Sequence, residues 1–326
     1  MNCAIGVDIG GTKCSVSLGK ENAGALDFPV MEKFATEGPP SEILERISGA
    51  IERILRSNET GNATVAGIGV SCGGPLDSIN GVILSPPNLP GWDNIRINEI
   101  LKDRSGLPVW LCNDADACAV AEWKFGNGRG YRNIVFLTFG TGMGAGLILD
   151  GCLYSGTNDM AGECGHIRLS GHGPAGYGKA GSFEGFCSGG GIAQLGYTMA
   201  QESIQRGIIP AYCVNGLHAN DISAKTVADA AGAGDVTAIE VYRVSGEMLG
   251  RGLSVLVDIL NPEVIIIGSV FSRSRELLWP HAESVMEKEC LRLSYGVCRV
   301  VPSGLGEKLG DYAAVTLALY RSGAGG

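Results

Sequence analysis

IVFLTFGTGMGAGLILDG, residues 134–151, carries the reading on which the fold turns. An apolar run ends in a glycine-rich segment that contains G-x-G-x-x-A, the fingerprint of a dinucleotide-binding turn. That turn requires a helix directly after it, with the helix N-terminus facing a pyrophosphate. Here the continuation is GLILDG, short, apolar and closed by Asp-Gly, which reads as a second strand and a tight turn. The stretch is therefore strand, Gly-Thr turn, strand. NCAIGVDIGGTKCSVSLG (2–19) has the same order, with strands over 2–8 and 14–19 around the turn at IGGTK. Two such beginnings point to two similar α/β halves.

The remaining chain fits that division. SEILERISGAIERILRS (41–57) predicts a helix with Ser41 as its N-cap and Ile43, Ile47, Ile51 and Ile54 on one face. VAGIGVS (65–71) and VWLCN (109–113) read as buried parallel strands, and DADACAVAEWKFG (114–126) as a helix. Beyond residue 151 the pattern is mostly helical, with one buried strand at PEVIIIG (262–268). A last helix at about 306–321 is expected to fold back onto the first half. The domains are then 1–113 plus the C-terminal helix region 306–326, and 114–305, meeting at a cleft.

With 326 residues, 45% hydrophobic and 18% charged, the chain has ample material for a core. A net charge of −9 argues against a nucleic-acid or anionic-membrane partner, because self-repulsion opposes approach. No basic segment followed by a long apolar stretch marks a signal peptide, and no apolar run is long enough to span a bilayer. Eleven cysteines, an odd number without a C-x-x-C pair, suit free thiols in a cytoplasmic protein.

Chemistry concentrates at a few stretches. In DIGGTK (8–13), Asp8 closes a strand, and Gly10, Gly11, Thr12 and Lys13 offer backbone N–H groups, a hydroxyl and an ammonium to one anion. Asp8 can hold a hydrated Mg²⁺. FGTGMGAG (139–146), preceded by Thr138, repeats this chemistry at Gly140, Thr141 and Gly142. An ordinary glycine hairpin is the competing reading of either turn. Asp114, at a strand end that opens a helix, is placed to accept a proton from a substrate hydroxyl, or else only caps its helix. GPAGYGKA (173–180) matches seven positions of a phosphate-binding loop but has Ala180 where a Mg²⁺-binding hydroxyl belongs, and no apolar strand precedes it.

Taken in order, GIGVSCGGPLD (67–77), SPPNLPGW (85–92), LCNDADACAVAEW (111–123) and LTFGTGMGAGLILDGCLYSGTNDMAGECGH (137–166) resemble the ROK family of sugar kinases and repressors over nearly the whole chain. The resemblance implies two ribonuclease H-like domains of the actin, hexokinase and Hsp70 ATPase superfamily flanking an interdomain cleft. It implies ATP- and Mg²⁺-dependent phosphorylation of a hexose or N-acetylhexosamine, at the 6-OH, with Asp114 as base. Sugar contacts would come from Gly74, Asn88, Asn113, Glu163, His166 and Glu184, and the backbone at Gly268 and Ser269 would lie against the nucleotide. A homodimer is implied as well. The alternative is a sugar-binding regulator of the same family without kinase activity. A repressor is disfavoured by the acidic charge and by the lack of a helix-turn-helix segment before the first strand.

Two departures from the family pattern stand out. After E-x-G-H (Glu163 to His166) most members carry three cysteines that bind a structural zinc with the histidine. GPAGYGKAGSFE (173–184) has Gly176, Gly178 and Ser182 nearest those positions. GPAGYGKA is then a zinc loop without its cysteines, with no structural zinc expected, ordered by glycine turns and by packing of Tyr177, Phe183 and Phe186. The second departure is Gly268-Ser269-Val270 in place of Gly-Gly-Gly, where the bulk of Val270 is expected to alter the nucleotide pocket.

Overall fold

The computed structural model describes residues 2–61, 63–213 and 216–323. In chain order the elements are β1 (Cys3–Ile9), β2 (Lys13–Asn22), β3 (Ala25–Ala35), α1 (Pro40–Arg56) and β4 (Val65–Cys72). A short ladder follows, β5 (Leu76–Asp77) with β6 (Val82–Ile83), then α2 (Ile97–Ser105), β7 (Val109–Asn113) and α3 (Asp114–Phe125). Next come β8 (Ile134–Leu137), β9 (Ala145–Leu149), β10 (Cys152–Leu153), the hairpin β11 (Ala175–Gly176) and β12 (Lys179–Ala180), and α4 (Phe183–Phe186). The chain closes with α5 (Gly189–Gln205), α6 (Ala224–Gly232), α7 (Val236–Leu260), β13 (Val264–Ile267), α8 (Val270–Glu289), α9 (Arg292–Val297), β14 (Arg299–Pro302) and α10 (Leu309–Arg321). Among the described residues no helix is long and apolar enough to cross a membrane, and all eleven cysteines are free thiols.

Contacts divide the chain into two compact units: Met1–Arg132, Gly146–Ala161 and Glu307–Gly326, and Asn133–Ala145 with Gly162–Gly306. The sequence reading places the boundary at 113/114, whereas the contacts keep α3 in the first unit, where it packs against α10. Residues 1, 62, 214–215 and 324–326 of that reading lie outside the described residues.

The first unit is built on a sheet ordered β3-β2-β1-β4-β7. The expected hairpin of β1 and β2 is antiparallel, and β4 and β7 run parallel to β1. One face is covered by α1, whose Ile43, Ile47, Ile51 and Ile54 are buried against Ile5, Val7, Val16 and Leu18. The expected Ser41 cap is not formed. The helix begins at Pro40, with Pro39 at the N-cap position and no side-chain cap bond. Proline suits the first helical position because its missing N–H would be unpaired there anyway.

The other face receives α10. Gly19, Gly6 and Gly69 lie on β2, β1 and β4, and a Cβ on Gly6 or Gly19 would stand 2.8 or 2.5 Å from Val315 methyls. On Gly69 it would collide with the carbonyl of Ala314. The three glycines make a shallow track that lets the helix axis approach the sheet closely. Strand β3 was not legible in the sequence, since Pro29 and the charges of Asp27, Glu32 and Lys33 mark it only as an edge.

In the second unit β13 lies between β8 and β14, parallel to both, and its four residues Val264–Ile267 are all buried. The expectation of one strand in this region is corrected by β14 and by the β11–β12 hairpin. Arg299-Val-Val-Pro302 is short, half-buried and ends in proline, so periodicity has little to work with. At the exit of β13, Ser269 holds φ 51°, ψ −112°, a conformation that costs a side-chain-bearing residue on the order of 1–3 kcal/mol. Val270 follows as the first residue of α8, its N–H donating to the Phe139 carbonyl at 2.9 Å and its side chain buried. Replacing Ser269 by Gly should therefore stabilise the protein by about 1 kcal/mol, after allowing for the greater unfolded-state entropy of glycine. Chemical denaturation of both proteins measures it, and a lower midpoint for Ser269→Gly would refute the strain.

Candidate active site

Ligands of parallel α/β sheets bind beyond the carboxyl ends of the strands. In the first unit those ends bring the predicted residues together. Strand register pairs Asp8 with Ser71 and Cys72 with Asn113, so Asp8 and the Asn113-Asp114 pair stand on one sheet edge with β4 between them. The Ser71 side chain hydrogen-bonds to Asp8. Burial, and then the charges of Asp114 and Asp311, push the Asp8 carboxyl up to about 6, with Lys13 and Ser71 acting against the rise. Gly310, in the first turn of α10, lies against the carboxylate: a Cβ there would be 3.6 Å from Asp8 Oδ2.

Helix α3 is capped by Asn113, whose Oδ1 accepts from the Ala115 N–H at 2.9 Å. Asp114 is therefore the first helical residue and not the cap. Its Oδ1 also accepts from Ala115 N–H, at 2.8 Å. Asp114 is solvent-accessible, although the surrounding protein raises its pKa above the ordinary carboxylate value. A carboxylate that water can reach, that is held by backbone donors and that binds a proton more tightly than usual is suited to accept one from a ligand hydroxyl.

The turn at 10–13 closes through Gly10 N–H to the Lys13 carbonyl (3.0 Å), and Thr36 Oγ1 donates to the Gly10 carbonyl (2.7 Å). Gly11, Thr12 and Lys13 are exposed. Asn88 arrives from a distant loop: a Cβ on Gly11 would lie 2.5 Å from the Asn88 carbonyl oxygen. Buried Leu89 and Trp92 anchor that loop and leave Asn88 exposed. Gly74 faces Asn113, since a Cβ on it would be 3.3 Å from Asn113 Nδ2. Asp8, Gly10 to Lys13, Gly74, Asn88, Asn113 and Asp114 thus gather in one unit.

The second unit gathers the rest. Thr138 Oγ1 accepts from Gly144 N–H at 2.8 Å, which commits this hydroxyl to closing the glycine turn, while Thr141 at its tip is exposed. Gly140 N–H donates to the Gly142 carbonyl (3.1 Å), and Gly268 N–H donates to the Leu137 carbonyl (3.0 Å). A Cβ on Gly140 would lie 3.9 Å from Ser269 Oγ, so the turn and the 268–269 backbone adjoin. One participant was missed in the sequence, the start of α5. Gly189 N–H donates to the Gly140 carbonyl at 2.7 Å, and a Cβ on Gly190 would lie 3.6 Å from the Thr141 carbonyl. Ser188-Gly-Gly-Gly before an apolar periodic run was the available signal, a serine N-cap opening a helix.

Glu163, Cys164, Gly165 and His166 form a short helical turn in which the Glu163 and His166 side chains are exposed. Glu184 Oε2 accepts from Met143 N–H at 2.9 Å, and a Cβ on Gly165 would be 3.3 Å from Glu184 Cβ. The loop after His166 is the hairpin β11–β12, turned at Tyr177 and Gly178 with φ of 45° and 73°. It has no strand before it and no helix wrapped on its N–H groups, as a phosphate-binding loop would require. Phe183 and Phe186 are buried as expected. Tyr177 corrects the expectation: it is 76% exposed at the tip, edge-on to His166.

Residues 4–321 match the family model described as ROK family. The glucokinase of Thermotoga maritima is 33% identical over 324 residues, covering 98% of each chain. The structure is similar to that of a ROK family glucokinase from Streptomyces griseus, solved in complex with glucose and AMPPNP. That likeness has a TM-score of 0.76 at 28% identity and covers 98% of this chain and 100% of the other. It is similar also to a ROK family transcriptional regulator, a homologue of the Escherichia coli Mlc protein, with a TM-score of 0.80 and 25% identity over 98% of this chain and 79% of that one. With two α/β units, each built on a strand, a Gly-Thr turn and parallel strands, the chain belongs to the ROK family.

Proposed function

We propose that this protein transfers the γ-phosphoryl group of ATP to a hydroxyl of a hexose or N-acetylhexosamine, the 6-OH. The observation that carries the reading is Asp114: an accessible carboxylate with a raised pKa, on the same sheet edge as Asp8 and the Gly-Gly-Thr-Lys turn. Asp114 accepts the hydroxyl proton as the sugar oxygen bonds to the γ-phosphorus and the bond to ADP breaks. Gly74, Asn88, Asn113, Glu163, His166 and Glu184 are assigned to the sugar. Phosphate oxygens are assigned to the Gly10–Lys13 turn and to Thr138, Gly140, Thr141 and Gly142, and the nucleoside to Gly268 and Ser269. The commitment of Thr138 to Gly144 leaves Thr141 as the freer hydroxyl.

The residues around Asp8 suit a divalent cation. The charges of Asp114 and Asp311 add to burial in raising the cost of ionising Asp8, and Lys13 acts against them. Mg²⁺ held through water by Asp8 would supply charge neutralisation for the phosphates. The reading includes a cytoplasmic homodimer. A sugar-binding regulator without turnover is the second reading, favoured by the likeness to the transcriptional regulator.

ADP release from Mg²⁺-ATP is measured with glucose, N-acetylglucosamine, N-acetylmannosamine, allose and fructose. Sugar-dependent turnover is expected, and Asp114→Asn should lower kcat by about 10²–10⁴-fold while sugar affinity stays within a few-fold. Sugar binding without turnover in the unaltered protein would select the regulator, and undiminished turnover in Asp114→Asn would remove its role as base.

Asp8 gives a prediction of opposite sign for stability. Its folded pKa lies above the ordinary 3.8, at about 6, so the folded state binds this proton more tightly than the unfolded chain does. That contribution is complete at pH below the ordinary value and is lost as pH rises through about 6, on the order of 3 kcal/mol in all. Asp8→Asn should therefore raise the ligand-free Tm at pH 7.5 more than at pH 4.5, while abolishing turnover. An equal shift at both pH values would contradict the assignment.

A further inference from the structure

The hairpin β11–β12 stands where the family pattern has zinc ligands, and its residues do not fit that metal. Gly176, Gly178 and Ser182 offer no sulfur or imidazole. Among the described residues no three His, Cys, Asp or Glu side chains are grouped to hold a metal ion. Cys187 directs its thiol to the Ser245 carbonyl, 3.4 Å away.

A different device holds the segment. Ser182, fully buried, accepts with one Oγ from Gly185 N–H (3.1 Å) and from Gly176 N–H (3.2 Å). It thereby caps α4 and ties β11 to it. Gln194, on the first turns of α5, pairs with Ala175 as a neighbouring strand would. Its Oε1 accepts from Ala175 N–H (3.0 Å), and its Nε2 donates to the Ala175 carbonyl (2.9 Å). Between these two fastenings Gly176 lies flat on Glu184, where a Cβ would stand 2.7 Å from Glu184 Cβ and 2.8 Å from its Cγ. The stem of Glu184 is thus confined on the hairpin side while its Oε2 is fixed by Met143 N–H.

We infer that Ser182 and Gln194 are positioning residues for Glu184, and that their hydrogen bonds order this loop without a metal. The kinetic consequence rests on the sugar-kinase reading, in which Glu184 contacts the sugar. The structural consequence, protection of the Met143 amide by Glu184, does not.

Gln194 is exposed, so Gln194→Ala tests the inference without a large core defect. Hydrogen exchange should show the amides of Gly176 and Met143 exchanging at least about tenfold faster in Gln194→Ala than in the unaltered protein, with Gly140 unchanged. In the assay, KM for the sugar should rise about tenfold, with KM for ATP within twofold and kcat less affected than KM. Gln194→Glu, which keeps the acceptor for Ala175 N–H and loses the donor, should fall between. Ser182→Ala should move the same amides further. Treatment with 1,10-phenanthroline in the presence of Mg²⁺ should leave both readouts unchanged.

Unchanged Met143 exchange in Gln194→Ala would overturn the positioning role. A rise in exchange or in sugar KM on chelation, reversed by zinc, would overturn the metal-free ordering. Absence of sugar-dependent turnover in the unaltered protein would fail the functional reading alone, since the exchange result stands without it.

Discussion

The first unit depends on the close approach of α10 to its sheet. Gly19, Gly6 and Gly69 remove three side chains from adjacent strands, and Val315 and the backbone at Ala314 fill the space. A helix at ordinary distance would rest on side chains and stand further from the strands. Pressed into the track, α10 brings Gly310 against the Asp8 carboxylate and Asp311 within its electrostatic reach. Lys33 holds Asp311 at 3.0 Å. The fit that completes the core thus also sets the environment of the residue assigned to the metal, and concentrates negative charge there at a cost to the ligand-free protein.

The same economy of backbone recurs in the second unit. Gly165, Gly176, Gly185 and Gly191 stack segments so closely that a methyl group on any of them would meet neighbouring backbone or the Glu184 side chain. Such packing leaves few side chains to hold the segments, and hydrogen bonds from Ser182, Gln194 and Thr138 do so instead. The glycine richness of this chain is therefore a packing property in both units, as well as a property of its turns. Glycine offers no interaction of its own, so each such contact relies on a polar or apolar neighbour supplied from elsewhere in the chain.

Much of the architecture was legible because the decisive elements are short apolar runs closed by turn residues. β1, β2, β4, β7, β8 and β13 are read this way, and α3 and α10 are expected as helices. β3 and β14 were not, because an edge strand with a proline and a half-buried surface carries no strong period. The Ser41 cap is not formed because Pro40 fits the first helical position, which moves the N-cap two residues back to Pro39. At the candidate site, Asp8, Asn113 and Asp114 could be found as strand-end residues. The contribution of α5, the burial of Ser182 and the exposure of Tyr177 could not, since each depends on what the chain packs against them.

By itself the sequence determined the kind and order of the apolar elements and the residue types at their strand ends, because these are local consequences of hydrophobic period and turn chemistry. It also determined that GPAGYGKA lacks a strand before it and a hydroxyl at its eighth position. The tertiary structure alone decided which glycines are close approaches, that Asn88 lies on the Gly11 turn, that burial pushes the Asp8 carboxyl up to about 6, and that Glu184 is held by Met143, Gly176 and the bonds of Ser182 and Gln194. Those are relations between distant segments. Their energies arise from burial, proximity of charge and excluded volume, none of which exists until the chain has folded.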